Sequence, residues 1–156
     1  LRLVGSEMCI RDRFEDSATI YKIFECADRI VYGDAKLYGY MHRENSITTK
    51  KFSKADCDIL YICDEIVAYM DRKKDHDLIA ASLAYQMSAA FRIYLNAPRN
   101  NQFNDEIKKS EDIIKTNSYK VLLDKNVRRK AKIAIIMFAC SKKMMIKVYK
   151  HVDRWK

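Results

Sequence analysis

A long helical pattern lies at residues 78–96, which read LIAASLAYQMSAAFRIYLN. Apolar residues recur there at intervals of three and four, the spacing that places side chains on one face of an α-helix. Pro98 follows, and proline cannot continue a helix because it lacks a backbone N–H. We therefore predict a helix over 78–96 whose inward face carries Ile79, Leu83, Met87, Ala90, Phe91, Tyr94 and Leu95.

The residues before this stretch predict a second long helix. Ser53 is a favourable N-cap residue, since its hydroxyl can accept a hydrogen bond from the first turn. The apolar residues that follow it repeat at helical spacing on one face: Ile59, Cys63, Ile66, Val67 and Met70. The charged residues 71–77 are interpreted as a linker between the two helices.

The residues after Pro98 predict further helical segments. One covers residues 102–115, and Ser118 is a suitable start for another that reaches about Asp124. Residues 127–155 are basic and amphipathic, with an apolar stripe of Met144, Met145, Val148, Tyr149, Val152 and Trp155. Residues 52–156 are thus predicted to be a C-terminal helical region, and the predicted fold class is mainly α.

A helix is also predicted upstream, over residues 15–28. Asp16 or Ser17 can cap its start, because both side chains accept hydrogen bonds from backbone N–H groups. The apolar residues of this helix are Ile20, Ile23, Phe24 and Ala27, again at helical spacing.

A β-hairpin is predicted directly after that helix. Two β-branched or aromatic stretches, 29–32 and 35–41, flank Gly33-Asp34, and this arrangement is typical of a hairpin turn. A helix and a hairpin alone cannot bury their own sheet. Residues 14–51 are therefore expected to be a small α/β remnant of a larger domain, or to lean on the helices.

Residues 1–13 show neither helical nor strand periodicity over a useful length. Residues 4–13, VGSEMCIRDR, resemble a translated sequencing adapter, a string that recurs at the ends of predicted proteins from short-read assemblies. We predict that 1–13 are a disordered artefact in which Cys9 has no function, and we expect the gene to extend upstream.

The composition limits the classes of function. The net charge is +9, from 30 Lys and Arg against 21 Asp and Glu, which favours an anionic partner without choosing among nucleic acid, membrane and phosphorylated substrate. The chain has 3 Gly and no Gly-x-Gly-x-x-Gly or Walker-type phosphate loop. Its 5 cysteines include no Cys-x-x-Cys pair, so reduced thiols are expected.

Two strings resemble a known family. They are FED at 14–16, heading a predicted helix, and LYGYMHRENSIT at 37–48. In order and spacing they resemble bacterial family 2 glycosyltransferases, in which a Glu-Asp pair near the end of the GT-A domain precedes a helix, a hairpin and a Tyr-Arg-x-Arg-x-x-Ser-like loop. The likeness covers 14–75, and beyond that only helical character. Met41 departs from it, because the family often has Arg there, which weakens a second cationic contact.

The resemblance implies that 14–51 end a GT-A catalytic domain, and it assigns roles to both strings. Asp16 is implied as the base that takes a proton from the acceptor hydroxyl, with Glu15 as its neighbour. Arg43 is implied to bind the leaving diphosphate through its guanidinium fork. The other candidate substrate-binding residues are His42, Asn45 and Ser46. The alternatives are an N-cap role for Asp16, a surface role for Arg43, and turn roles for Asn45 and Ser46.

No metal ligand is assigned in this chain. Two Asp-x-Asp strings, 56–58 and 75–77, follow the Glu-Asp pair, whereas the family's metal-binding string precedes it, so both are interpreted as helix-start charges. The resemblance implies Mg²⁺ or Mn²⁺ and a nucleotide-sugar donor in the full-length parent, with the ligands mostly outside this chain. The fragment alone is expected to be inactive.

The implied acceptor is a cell-surface polysaccharide or a lipid-linked glycan. The basic segment 127–156 can lie on an anionic membrane surface, or it can simply pack against neighbouring helices. The expected location is therefore the cytoplasm or the inner face of the cell membrane. The alternative function is a helical module without catalysis that binds nucleic acid or a membrane surface. Nucleic acid is not the expected partner, because acidic residues punctuate most helices.

Overall fold

The computed structural model describes residues 14–35, 39 and 51–153. Two 3₁₀ turns, Lys54–Cys57 and Asn101–Phe103, lead into the second and fourth of the helices in this part of the chain. The helices are α1 (Glu15–Glu25), α2 (Asp58–Lys73), α3 (His76–Asn96), α4 (Asn104–Leu123), α5 (Arg129–Cys140) and α6 (Lys142–Asp153). The described residues contain no strand, and the prediction of a mainly α fold is confirmed.

Helix α3 is the centre of the core, because it packs against both α2 and α4. Most of its predicted inward residues are buried, and Ile79 and Leu95 are half-buried. Met87 and Ile93 are almost completely removed from solvent, and burial of such a side chain stabilises the fold by roughly 1.5–3 kcal/mol. By length and composition α3 is apolar enough to cross a membrane, and half of its most apolar stretch is buried inside this fold.

The predicted linker between α2 and α3 is wrong over most of its length. Helix α2 continues to Lys73 and α3 begins at His76, so only two residues connect them. Lys74 takes the left-handed conformation with φ of 57°, which ends α2. The Asp75 side chain accepts hydrogen bonds from the backbone N–H groups of Asp77 and Leu78, and these bonds start α3 at once.

The predicted helix break near Ser118 is also wrong, since α4 runs unbroken from Asn104 to Leu123. The hydroxyl of Ser118, which suggested a new start, is satisfied inside the helix, and its neighbour Asn117 bonds to another helix. Ser118 Oγ donates to the carbonyl oxygen of Ile114, and the Asn117 amide is buried against Gln86 of α3. Neither residue therefore acts as a cap: Ser118 bonds within α4 and Asn117 makes a tertiary contact.

The basic segment after Val127 folds as two helices that pack on each other. Ser141, with extended backbone, separates α5 from α6. Phe138 of α5 packs edge-to-face against Tyr94 of α3, with ring centroids 5.1 Å apart. Lys142 at the start of α6 pairs with Glu111 of α4. These contacts fasten the segment to the core.

The predicted β-hairpin is wrong where the structure describes it. Residues 29–35 have no regular secondary structure and are exposed, with Ile30, Val31 and Tyr32 at 60%, 73% and 91%. A β-strand pair needs a buried face, and among the described residues these side chains are mostly exposed. Residues 36–38, 40 and 41 of the predicted second strand lie outside the described residues, as do 1–13 with Cys9.

Candidate functional site

The candidate base, Asp16, lies in the first turn of α1 beside Glu15, and both side chains are exposed. The N-cap position is occupied by Phe14, which has a left-handed backbone with φ of 68°. The prediction that Asp16 or Ser17 caps this helix is therefore wrong, because both lie inside it. The carboxylate of Asp16 is left exposed to solvent in the first turn of α1.

An apolar cavity opens next to this turn, between α1, α2 and α3. Its volume is about 310 Å³. Ser17, the residue after Asp16, lines it, and Ser17 Oγ forms a hydrogen bond of 2.8 Å with the hydroxyl of Tyr85, which also lines it. The remaining lining residues are Ile20, Tyr21, Ile66, Met70, Leu78, Ala81 and Ser82. Glu15 and Asp16 are not among the lining residues, so the acidic pair directly precedes the cavity in sequence through Ser17.

Helix α1 is held to the helical core at its start. The guanidinium of Arg92 in α3 lies 5.3 Å from the centre of the Phe14 ring. Arg92 also approaches Asp56, with 3.9 Å between Nη2 and Oδ1. One arginine thus links the starts of α1 and α2 to α3.

The other end of α1 is held by a charged cluster. The Glu25 carboxylate accepts hydrogen bonds from the hydroxyl of Tyr69 and the ammonium group of Lys73 in α2. The hydrogen bond from Lys73, together with that from Tyr69, lowers the pKa of Glu25, and the same carboxylate raises the pKa of Lys73 and of Tyr69. Tyr21 and Tyr69 also pack edge-to-face at 5.1 Å.

The structure does not describe the positions of the predicted substrate-binding residues relative to Asp16. The predicted substrate-binding residues all lie outside the described residues: His42, Arg43, Asn45 and Ser46. Their convergence with Asp16 on one ligand stays a prediction.

Both Asp-x-Asp strings have the helix-start roles that were predicted. Asp75 is the N-cap of α3. Asp56 forms a capping box with Ser53, whose backbone N–H and hydroxyl donate to Asp56 Oδ2 at 2.8 and 3.0 Å. Within the described part of the chain, no group of three or more His, Cys, Asp or Glu side chains is placed to hold a metal ion.

The structure contains a polar chain that sequence reasoning missed. The Gln86 amide donates to Asp64 Oδ1 at 2.7 Å, and Gln86 Oε1 accepts from Asn117 Nδ2 at 2.9 Å. Lys109 extends the chain by an ion pair of 2.7 Å with Asp64 Oδ2. The signal was present in the sequence, because Gln86 and Asn117 lie among apolar residues on the inward faces of their helices.

A shallow groove of about 440 Å³ lies over this polar chain. Gln86 and Asn117 contribute to it, and α4 supplies Asp105, Lys108, Lys109, Asp112, Ile113 and Thr116. Acidic and basic side chains alternate there, so the groove has no charge of one sign to select a ligand. The polar chain is best explained as a contact that sets the register of α2, α3 and α4.

An ion pair between exposed Lys54 and buried Glu106 joins the starts of α2 and α4. Glu106 is only 6% exposed, and its Oε1 pairs with Lys54, whereas Oε2 has no hydrogen-bond partner among the described residues. Burial alone would raise the pKa of Glu106, but the hydrogen bond from Lys54 outweighs it with help from the helix backbone, so the pKa is lowered.

The four described cysteines are free thiols, in line with the expectation of reduced cysteines. Burial raises the pKa of Cys57 to about 11 and that of Cys63 to about 12. Neither thiol is a nucleophile at neutral pH, because the thiolate is the reactive form. Cys26 and Cys140 are exposed.

Comparison with known proteins gives no relative of this chain. No family model, no curated protein and no solved structure matches it. The likeness to family 2 glycosyltransferases therefore rests on the two strings quoted above and stays a prediction.

Proposed function

We propose that this chain is the acceptor-side part of a glycosyltransferase, with Asp16 as its catalytic base and Glu15 as the neighbouring carboxylate. The observation that carries the proposal is the exposed Glu15-Asp16 pair in the first turn of α1, which is followed in sequence by Ser17, a lining residue of the apolar cavity. The acceptor is a cell-surface polysaccharide or a lipid-linked glycan, and the donor is a nucleotide sugar.

The proposed reaction is a single displacement at the anomeric carbon of the donor sugar. The acceptor hydroxyl oxygen forms the new C–O bond as its proton passes to the carboxylate of Asp16. The bond between the anomeric carbon and the diphosphate oxygen breaks, and its electron pair leaves with the nucleoside diphosphate. Arg43, by resemblance, would neutralise the charge that develops on that diphosphate.

The contacts of α1 suit this role, because a base must be held in one position to be effective. Arg92 holds the ring of Phe14 just before the Glu15-Asp16 pair, and the Ser17–Tyr85 hydrogen bond lies just after it. The ion pair of Glu25 fixes the far end of the helix. Asp16 is thus flanked by two contacts with α3.

The divalent cation implied by the resemblance does not fit the described residues, since none of their acidic, His or Cys side chains form a suitable group. No step of the proposed transfer is therefore assigned to a metal ion. The donor's base and ribose are likewise assigned to no residue of this chain. The enzyme is proposed to act in the cytoplasm or at the inner face of the cell membrane.

The test is sugar transfer by the longest protein that the gene encodes, measured with radiolabelled nucleotide sugars and lipid-linked or glycan acceptors. Asp16→Asn is expected to lower kcat by roughly 10²–10⁴-fold, the usual contribution of a general base, with little change in donor affinity. The variant keeps the size of the side chain and removes only its ability to take a proton.

The matched control is Asp28→Asn, which makes the same change at an exposed aspartate outside α1. It should leave kcat unchanged. Equal activity of the wild type and Asp16→Asn would remove the proposed base. A wild-type protein that transfers no sugar from any donor would remove the proposed function altogether.

A further inference from the structure

Positive charge is concentrated in the last two helices. Residues 127–153, which we name the tail hairpin, contain eight Lys or Arg residues and a single acidic residue, Asp153. Most of the cations lie on exposed positions: Arg128, Arg129, Lys130, Lys143, Lys147 and Lys150. The tail hairpin therefore accounts for most of the net charge of +9.

The same hairpin exposes large aliphatic side chains. Ile133 and Ile136 of α5 are 56% and 54% exposed, and Met144 and Val148 of α6 are 49% and 42% exposed. Ile133 and Ile136 are three residues apart and so lie on the same face of α5, with Lys130 one turn before Ile133. Each helix thus presents apolar side chains and cations together on its exposed surface.

These exposed residues are not the ones that hold the hairpin in the fold. Its inner side is formed by Ile135, Phe138 and Met145, all at least 94% buried. Lys142 also contributes to this attachment, because it forms an ion pair with Glu111 of α4. The outer residues can therefore be changed without removing a core contact, and their combination needs an explanation other than packing within the chain.

We propose that the outer surface of the tail hairpin binds the surface of an anionic lipid bilayer. Lysine and arginine bind the phosphate-rich headgroup layer, and aliphatic side chains enter the boundary of the acyl chains. The surface of an anionic membrane supplies both negative charge and an apolar layer, which matches the two properties of this surface. The inference goes beyond the proposed sugar transfer and does not depend on it.

Two other occupants fit the surface less well. A second copy of this chain would bring two sets of like charges together, which opposes association. A nucleic acid would match the charge, but its bases stack on aromatic side chains, whereas the exposed apolar residues of the hairpin are aliphatic. The bilayer is the partner that uses both the cations and the aliphatic side chains.

The test is co-sedimentation of the full chain with lipid vesicles. The protein is expected to bind vesicles that contain phosphatidylglycerol and to bind pure phosphatidylcholine vesicles weakly. Binding should fall when the salt is raised from roughly 0.1 M to 1 M, because salt screens exposed charges. Each cation at an anionic surface contributes about a fivefold gain in binding, so removal of two should weaken it about 25-fold.

Two pairs of matched variants show whether vesicle binding depends on the tail hairpin or on the charge and hydrophobicity of the chain as a whole. Lys130→Gln with Lys147→Gln removes two hairpin cations, and Lys108→Gln with Lys120→Gln removes two exposed cations of α4 as the control. Ile133→Ser with Ile136→Ser should weaken binding roughly fivefold per residue. Its control is Ile23→Ser with Ile30→Ser, at two isoleucines that are each 60% exposed.

The hairpin variants should lose vesicle binding and the controls should keep it, with unchanged helix content by circular dichroism for all four. Binding that is equal for neutral and anionic vesicles, or equal for hairpin and control variants, would overturn the proposal. Tighter binding to a DNA or RNA duplex than to anionic vesicles would also overturn it, in favour of nucleic acid. Vesicle binding without sugar transfer would leave this proposal standing and count only against the proposed enzyme.

Discussion

Replacing Asn117 by leucine should destabilise the fold, because it leaves a buried oxygen of Gln86 without its hydrogen-bond donor. Asn117 Nδ2 donates to Gln86 Oε1 at 2.9 Å, and the two residues are only 8% and 6% exposed. Asn117→Leu keeps the approximate volume but leaves that oxygen buried without its donor, at a cost of about 1–3 kcal/mol. Gln86→Met loses both this hydrogen bond and the one to Asp64, so we expect the free energy of unfolding to fall by about 2–4 kcal/mol.

The double variant is the sharper test of the pairing. Once both polar groups are gone, no buried partner is left unsatisfied, so Asn117→Leu adds little to Gln86→Met. The combined loss should be smaller than the sum of the single losses by about 1–2 kcal/mol. Urea unfolding followed by circular dichroism measures these differences, provided that the slope m is unchanged. Thr116→Val, at an exposed neighbour, is the control and should change stability by less than about 0.5 kcal/mol. Additive single effects would show that the two amides do not interact.

Two further predictions concern ionisable groups. The free energy of unfolding should fall as pH drops below the ordinary glutamate value of 4.5, because the lowered pKa of Glu106 stabilises the fold above that value and this contribution is lost as the carboxyl is protonated. Glu106→Gln should flatten this dependence in urea titrations from neutral pH to roughly pH 3, and an unchanged slope would contradict it. Cys57 and Cys63 should resist alkylation in the folded protein, since burial raises their pKa to about 11 and 12. Peptide mapping by mass spectrometry should find label on the two exposed cysteines first, and early label on Cys57 or Cys63 would refute their burial.

The helices that the sequence predicts well are those whose inward face is mostly apolar. In α3 the spacing from Ile79 to Leu95 and the stop at Pro98 suffice, because burial of that one face dominates the energy of the helix. In α2 the capping box of Ser53 and Asp56 adds a local start signal that needs no tertiary partner. Periodicity and capping chemistry act locally, so a single chain reveals them.

The errors share a different cause, which is that polar and β-branched residues take their roles from tertiary contacts. Ser118 suggested a new helix start, but its hydroxyl bonds within α4 and its neighbour Asn117 has a partner on α3 far away in sequence. Ile30, Val31 and Tyr32 suggested a strand, although strand formation needs a neighbouring strand and a covered face. Periodicity does not reveal whether such a partner exists.

The candidate site was likewise predicted from the sequence only in part. The position of Asp16 at the head of a helix follows from local pattern and is confirmed, whereas its N-cap alternative is wrong. The cavity beside it is formed by side chains of three helices, such as Ile20, Ile66 and Tyr85, whose meeting no spacing in the sequence predicts. Helix α1 also exposes Ile23 and Phe24 of its predicted apolar stripe, at 60% and 50%.

The most direct measurement for the proposed enzyme is the distance between Asp16 and Arg43, which the proposed reaction places around one donor sugar. The 27 residue steps between them could span up to roughly 90 Å if extended, so a short distance is informative. Spin labels on Asp16→Cys and Arg43→Cys, in a chain without its native exposed cysteines, report this distance by pulsed electron paramagnetic resonance. We predict one narrow distribution no longer than a sugar diphosphate plus the two label arms. A broad distribution that extends well beyond that length would contradict a shared site.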